Sequence, residues 1–369
     1  MKKSKKIVFL SATLGSVLGI VFIAIALLSV NFDVRNLDLC GEPQKITKEC
    51  GTMEDLKDIC IYLGNNMDDI MIFGFDSSTN IRVKESPDDK IHITYYTTDC
   101  CSKELEIIEQ KLLLHETDTW IYNIKQFTKG IFHGAKQWGL ETVIEIPSSQ
   151  INIEDMEALA DYLQTLADKA PTMQLKTNNG NIIIEKAAVS SLTAQTFNGY
   201  VSVSNIYTNT FDTGSSNGEL LLNNIYAHSI NAYTSNGSII LKNADCTNSN
   251  LSTSNGSITL NKISASQLQS STSNGTVTLF DIKVNHHLSA YTSNGDIQLK
   301  NIMAEDMIFN TSNGSIWGNI AGKPDDYFIQ SHTSLGNNVL AIYNGKNKNA
   351  NKSIEAYTSN GDISITFSE

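Results

Sequence analysis

Asp212, Glu219, Asp245, Asp281, Asp296 and Glu305 are carboxylates in the second half of the chain from which a glycoside hydrolase could draw an acid and a base. Such chemistry needs two carboxyl groups held on one face at a set separation. No two of these six recur at the same place in neighbouring repeats, so no pair is set up. His286 and His287 are the other chemical suggestion. Neighbours along a strand point to opposite faces, so one of them is expected inward beside Leu288 and the other in solvent. Neither has the spaced Cys and His partners that a zinc site requires.

Cys40, Cys50, Cys60, Cys100, Cys101 and Cys246 are an even set. Outside the cytoplasm an even set permits disulfides. Adjacent Cys100 and Cys101 suit a bond to each other poorly, because the required Cα separation and torsion do not fit vicinal residues. Structural disulfides and free thiols both stay open. Trp120 and Trp138 flank a stretch in which Lys125, Lys129 and Lys136 alternate with Ile and Phe. That pattern fits a half-buried loop or short helix, or a contact with a membrane surface. No catalytic group, metal ligand or cofactor site emerges, and the chain reads as a non-enzyme.

The elements that would carry these residues begin with a membrane signal. Lys2, Lys3, Lys5 and Lys6 precede an uncharged apolar run from Ile7 to Val30. Its length suffices for a bilayer core of about 30 Å. A cleaved secretory signal has a shorter apolar core, so an uncleaved anchor is the expectation over 1–30. The lysines place the N-terminus in the cytoplasm and the rest of the chain outside. The net charge of −12 is concentrated in residues 31–172. Arg35 and Arg82 are the two arginines, so bidentate phosphate readout has almost no donors and nucleic acid is excluded as a partner.

Four segments follow from composition: the anchor 1–30, a Cys-containing linker 31–65, a β region 66–172 and a repeat region 173–369. In the β region, "NIRVKESPDDKIHITYYTT" alternates like two strands joined at Pro87-Asp88-Asp89. "KELEIIEQKLLLHETDTW" reads as a second strand pair and "ETVIEIP" as one more strand. A helix is expected over 152–170, capped by Asn152, with Ile153, Met156, Leu159, Leu163 and Leu166 on one face. It would cover the open end of the repeats or pack on their side.

The repeat is "TSNG" followed by an alternating strand. Its glycines, Gly180, Gly199, Gly218, Gly237, Gly256, Gly275, Gly295 and Gly314, are spaced by 19 residues with one step of 20, and looser copies follow at Gly336 and Gly361. A period this short means a solenoid. Apolar residues two, four and seven places after each glycine, and seven before it, give two strands per coil and about ten coils of parallel β-helix. Asn179, Asn198, Asn217, Asn236, Asn255, Asn274, Asn294, Asn313 and Asn360 then fall in one column, where their amides can form a hydrogen-bonded turn ladder. Asn tolerates left-handed backbone and Gly lacks a Cβ, which suits a sharp corner. Lys346, Lys348 and Lys352 fall beside the last coil, where charge discourages end-to-end growth.

The "TSNGDI" and "TSNGSI" coils, together with "NIRVKESPDDKIHITYY" and "ETVIEIP", resemble the putative-adhesin family of bacterial cell-envelope proteins over roughly residues 66–369. The resemblance implies a β-solenoid, often membrane-tethered in Gram-positive bacteria, and brings no catalytic residues. The cysteines and the 152–170 helix depart from the family pattern. The expected role is a membrane-anchored extracytoplasmic binding or scaffold protein that meets a cell-wall polymer or envelope protein. An envelope-stress sensor is the alternative, and a carbohydrate-active enzyme is a more distant one.

Overall fold

A computed structural model describes residues 43–63, 79–97, 102–117, 140–147 and 169–368. The apolar run 1–30, nearly all of the expected 152–170 helix, the Trp120–Trp138 stretch, Cys40, Cys100 and Cys101 lie outside the described residues. Among the described residues no helix is long and apolar enough to cross a membrane.

Strands β1 (Gln44–Glu49), β2 (Asp58–Leu63), β3 (Asn80–Glu85), β4 (His92–Thr97), β5 (Ser102–Ile108), β6 (Lys111–Thr117) and β7 (Glu141–Ile146) build one end of a single stack. The body consists of β8 (Thr172–Thr177), β9 (Ile182–Ile184), β10 (Ala187–Thr196), β11 (Val201–Ser215), β12 (Leu220–Thr234), β13 (Ile239–Thr253), β14 (Ile258–Thr272) and β15 (Val277–Tyr291). β8 pairs in parallel with β10 and β9 with β11, and from β10 to β15 consecutive strands pair in parallel, each residue opposite the one a repeat later, as Leu220 with Ile239 and Ile239 with Ile258.

The coils have three sides, where the apolar spacing predicted two strands. After Gly218 the inward residues are Leu220, Leu222, Ile225, Ala227, Ile230, Ala232 and Thr234, all buried. One flat strand would keep a step of two throughout. The step of three at Leu222–Ile225 and again at Ala227–Ile230 carries the chain round a corner while the next side chain still points inward. Pairing lapses at both places. The first corner is held by a left-handed residue in successive coils: Asn205, Asn224, Asn243, Lys262, Asp281 and Asn301, with φ between 52° and 58°. The third corner is the T-S-N-G turn. The core is a continuous column of Ile, Leu, Val and Ala. One coil exchanges large and small residues, and there Ser249 sits opposite Ile230 and Leu268 while Leu251 sits opposite Ala232 and Ser270.

Chain order and stacking order part company at both ends. β2 stacks on β8 and β3 on β9, while the later strands β6 and β7 lie outside β2 and β3. The strands on either side of Pro87-Asp88-Asp89 are present but do not pair with each other, because β7 lies between β3 and β4. β5 and β6 form the expected antiparallel pair, turning through left-handed Glu109 and Gln110. β1 pairs antiparallel with β4.

At the other end come β16 (Ile297–Met303), β17 (Asp306–Asn310), β18 (Ile316–Ala321), β19 (Tyr327–Thr333), β20 (Lys352–Thr358) and β21 (Ile363–Ser368). β20 lies between β17 and β19, and β21 stacks on β18. The Gly361 coil therefore precedes the Gly336 coil in the stack, the reverse of their sequence order. The Gly361 coil carries the full turn and a complete alternating strand, so it can be covered on both sides. The Gly336 coil has Leu335 in the Asn position and continues into a 3-10 turn, Val339–Tyr343, which offers no strand for a further coil. Its open edge is closed locally. The Ser331 N–H donates to Asn344 Oδ1 at 2.9 Å, Asn344 Nδ2 donates to the Ser331 carbonyl at 2.7 Å, and the Gly345 N–H donates to the Ile329 carbonyl at 2.9 Å.

Candidate binding face

The turn column shows what the repeated motif does. A Cβ placed on Gly256 would lie 1.8 Å from the carbonyl oxygen of Gly237, and the same crowding recurs at each turn glycine. Glycine is required by close approach of the coils. None of the turn asparagines has a positive φ, so left-handed backbone is not their contribution. That conformation belongs to the first corner. The Thr column bridges coils: Thr253 Oγ1 donates to the Gly237 carbonyl at 2.9 Å and accepts from the Gly256 N–H at 3.3 Å.

All nine turn asparagines lie in one amide row. Asn198 donates to Asn179, and then Asn217, Asn236, Asn255, Asn274, Asn294, Asn313 and Asn360 each donate through Nδ2 to the Oδ1 of the preceding coil at 2.6–2.8 Å. Asn179 is half-buried and the others are exposed. With their amides engaged along the stack, these side chains offer a ligand few free donors.

The groups with chemical potential stay apart. Asp212, Glu219, Asp245, Asp281, Asp296 and Glu305 do not assemble, and no group of three metal-ligating side chains forms among the described residues. His286 pairs with Glu305 at 2.9 Å and is exposed, while His287 is half-buried. Neither turns inward, contrary to the expectation, because the extra residue of this 20-residue coil shifts the register between Ala265 and Gln267 of the coil beside it. Cys50, Cys60 and Cys246 are buried free thiols. Burial pushes the Cys50 thiol up to about 11 and the Cys246 thiol up to about 12.

Charge is paired at the N-terminal end of the stack. Arg82 bridges Glu141 and Glu185 at 3.0 and 2.7 Å, and Lys84 pairs with Glu145 at 2.8 Å. These strands border a groove of about 490 Å³ lined by Lys45, Thr47, Lys84, Thr94, Tyr96 and Glu145 among others.

The third side of the middle coils differs. Its outward rows are Ser191, Thr210, Ser229, Asn248 and Gln267, then Thr193, Asp212, Asn231, Asn250 and Gln269, then Gln195, Gly214, Tyr233, Ser252 and Ser271. Asp212 is the one charge among them. Thr210 Oγ1 contacts Ser191 Oγ at 2.7 Å, and Asn231 Nδ2 donates to Asp212 Oδ1 at 2.8 Å.

Tyr233 departs from the row. A Cβ on Gly214 would lie 2.3, 2.5 and 2.8 Å from its ring atoms Cζ, Cε2 and Cε1. Near-equal distances to three adjacent ring carbons mean that the ring lies face-down on the Gly214 backbone. Its hydroxyl reaches one coil further, where Gln195 Nε2 donates to it at 2.8 Å. Desolvation raises the Tyr233 pKa, with a further contribution from the Asp212 carboxylate. Tyr233 is nevertheless 45% exposed. Sequence reasoning passed over this group; its signal is a glycine in the middle of a strand, which marks close approach by another group.

No curated protein matches the chain. Among solved structures it is similar to a protein titled putative lipid binding protein from Parabacteroides distasonis, at 13% identity and TM-score 0.42, covering 88% of this chain and 97% of that one. A putative adhesin from Bacteroides fragilis is similar at 12% identity and TM-score 0.32, covering 88% and 97%. A putative cell adhesion protein from Clostridium sporogenes is similar at 10% identity and TM-score 0.18, covering 89% and 100%. The family model described as Toastrack DUF4097 matches residues 71–366, most of the chain. With its turns, its strands and this match in agreement, the chain belongs to the Toastrack DUF4097 family, as the putative-adhesin resemblance of its repeats implied.

Proposed function

We propose that this protein is a non-catalytic binding or scaffold protein of the bacterial cell envelope. It is held in the membrane by residues 1–30 and presents the solenoid outside the cytoplasm. One observation carries the binding half of this reading: the third side of the middle coils is an in-register array of hydroxyl and amide side chains with a single carboxylate. Such an array supplies many weak, aligned hydrogen-bonding positions and no acid–base pair. A polymer can engage several coils at once, so individually weak contacts add along its length. The anchoring half rests on the sequence, through the lysines before the uncharged run from Ile7 to Val30.

Two measurements test the proposal. A reporter fused after Glu369 is expected to be active only outside the cytoplasm, with the protein staying in membranes after a salt wash. Release of a form beginning near Leu27 would overturn the anchor. The full chain, solubilised in detergent, is expected to retain isolated peptidoglycan, wall teichoic acid or another envelope component on a column. Failure to retain any of them would overturn the binding role.

A further inference from the structure

We propose that Tyr233, Gln195, Asp212 and Asn231 form a subsite for a neutral glycan whose pyranose rings present a flat C–H face, as glucose- and N-acetylglucosamine-type rings do. The proposal rests on the binding role above and assigns it a place and a ligand class.

Three features point to a sugar ring. The first is the orientation of Tyr233. An aromatic ring usually stands away from a sheet and packs by its edge or face against neighbouring side chains. Here a glycine in mid-strand, a residue that weakens a strand, clears the floor so that the ring lies flat while Tyr233 stays exposed. A flat exposed ring is a stacking platform. The second feature is its anchoring. Gln195 fixes the phenol oxygen at 2.8 Å, so little side-chain entropy remains to be lost on binding.

The third feature is the company the ring keeps. Asn231 stands two residues before Tyr233 on the same strand and side, with its amide nitrogen on Asp212 Oδ1 at 2.8 Å. A carboxylate with one oxygen engaged accepts hydroxyl hydrogens through the other, and an amide carbonyl accepts as well. Acceptors beside an aromatic face match a ring with C–H groups on its faces and hydroxyls around its rim. The same surroundings reject other ligands. From Ser191 to Ser271 these outward rows hold no lysine or arginine; the nearest, Lys176 opposite Gln195, lies over the Tyr62 ring, and Asp212 repels a phosphate.

The experiment titrates the full chain in detergent micelles with cellohexaose, chitohexaose and a glycerol-phosphate oligomer, by calorimetry, with melting curves for every variant. Binding of at least one of the two neutral hexasaccharides is expected. Tyr233→Ala should weaken it at least about tenfold and Tyr233→Phe, which keeps the ring, by less than about threefold. Asp212→Asn should weaken it by an intermediate factor, and Ser271→Ala, elsewhere on the same side, should leave it unchanged. No binding of either hexasaccharide at millimolar concentration overturns the proposal, as does binding of the phosphate oligomer alone. Neutral glycan binding that survives Tyr233→Ala with an unchanged melting curve overturns the subsite and leaves the broader binding role standing. Should Tyr233→Ala unfold, Gly214→Ser lifts the ring from its seat and is expected to weaken binding in its place.

Discussion

Asn344 stands beside Ser331 as one residue of a further strand would, accepting from its N–H and donating to its carbonyl through a single side-chain amide. An unpaired strand edge recruits other strands, and a solenoid end is such an edge on every side. Lys346 and Lys352, which the sequence offered as the guards of this end, lie over the Tyr343 and Tyr327 rings.

Replacing Asn344 with Leu should therefore do two things. Stability should fall by about 1–3 kcal/mol, because the backbone groups of Ser331 lose both partners. Self-association should rise with concentration, read by light scattering after size-exclusion chromatography. A variant that melts earlier but stays monomeric would show that the amide serves stability alone.

The turn column separates steric need from hydrogen bonding. Gly256→Ala drives a methyl into the Gly237 carbonyl and should cost about 3 kcal/mol. Asn255→Ala removes exposed amide contacts and should cost about 1 kcal/mol. Replacing Asn236, Asn255 and Asn274 together should cost more than the sum of the single changes, since they are neighbours in one row. Denaturant melts of these five variants and the parent decide this, and equal losses for Gly256→Ala and Asn255→Ala would refute the close-approach account.

Side-chain direction is tested one residue apart. Ile258 is fully buried between Ile239 and Val277, so Ile258→Asp should cost several kcal/mol (about 3 or more). Thr259 points outward and Thr259→Asp should cost about 0.5 kcal/mol or less. Matching melting losses would place the alternation on the wrong face.

Cys246 gives a pH prediction. Its thiol is raised from an ordinary 9.0 to about 12 by burial, with a smaller contribution from Asp245. A raised folded value means that the contribution is intact below pH 9 and is lost as pH climbs toward 12. Denaturant unfolding at pH 8 and pH 10.5 should show a drop that Cys246→Ala reduces. Alanine suits the site, because its column neighbours are Ala227 and Ala265. Iodoacetamide should label Cys246 only after unfolding.

Much of the body was legible because each inward position repeats a residue class every 19 residues, and stacking forces equivalent residues into contact. The Ile258 and Asn255 columns follow directly from that. The first corner was missed because its left-handed position holds Asn in some coils and Lys262 or Asp281 in others, a change of type that hides a constant conformation. The order of the last two coils was also hidden: Gly336 and Gly361 both follow a turn, and only contacts between coils decide which lies inside. The Tyr233 platform was invisible for a different reason. It depends on a residue without a side chain, Gly214, lying in the adjacent coil rather than beside it in sequence.

Because β20 lies between β17 and β19, and β21 between β18 and Asn338, although both are made after β19, the stack cannot be completed in the order in which the chain is synthesised. A nascent chain emerging from its N-terminus can wind the body coil upon coil, but β19 must wait, or withdraw, until residues 352–368 arrive to fill the gap. An interruption of synthesis or a proteolytic cut before residue 352 would leave β18 and β19 without the coil that joins them. Closure of this end thus depends on residues 352–368, the segment that joins β17 and β18 to the outermost coil.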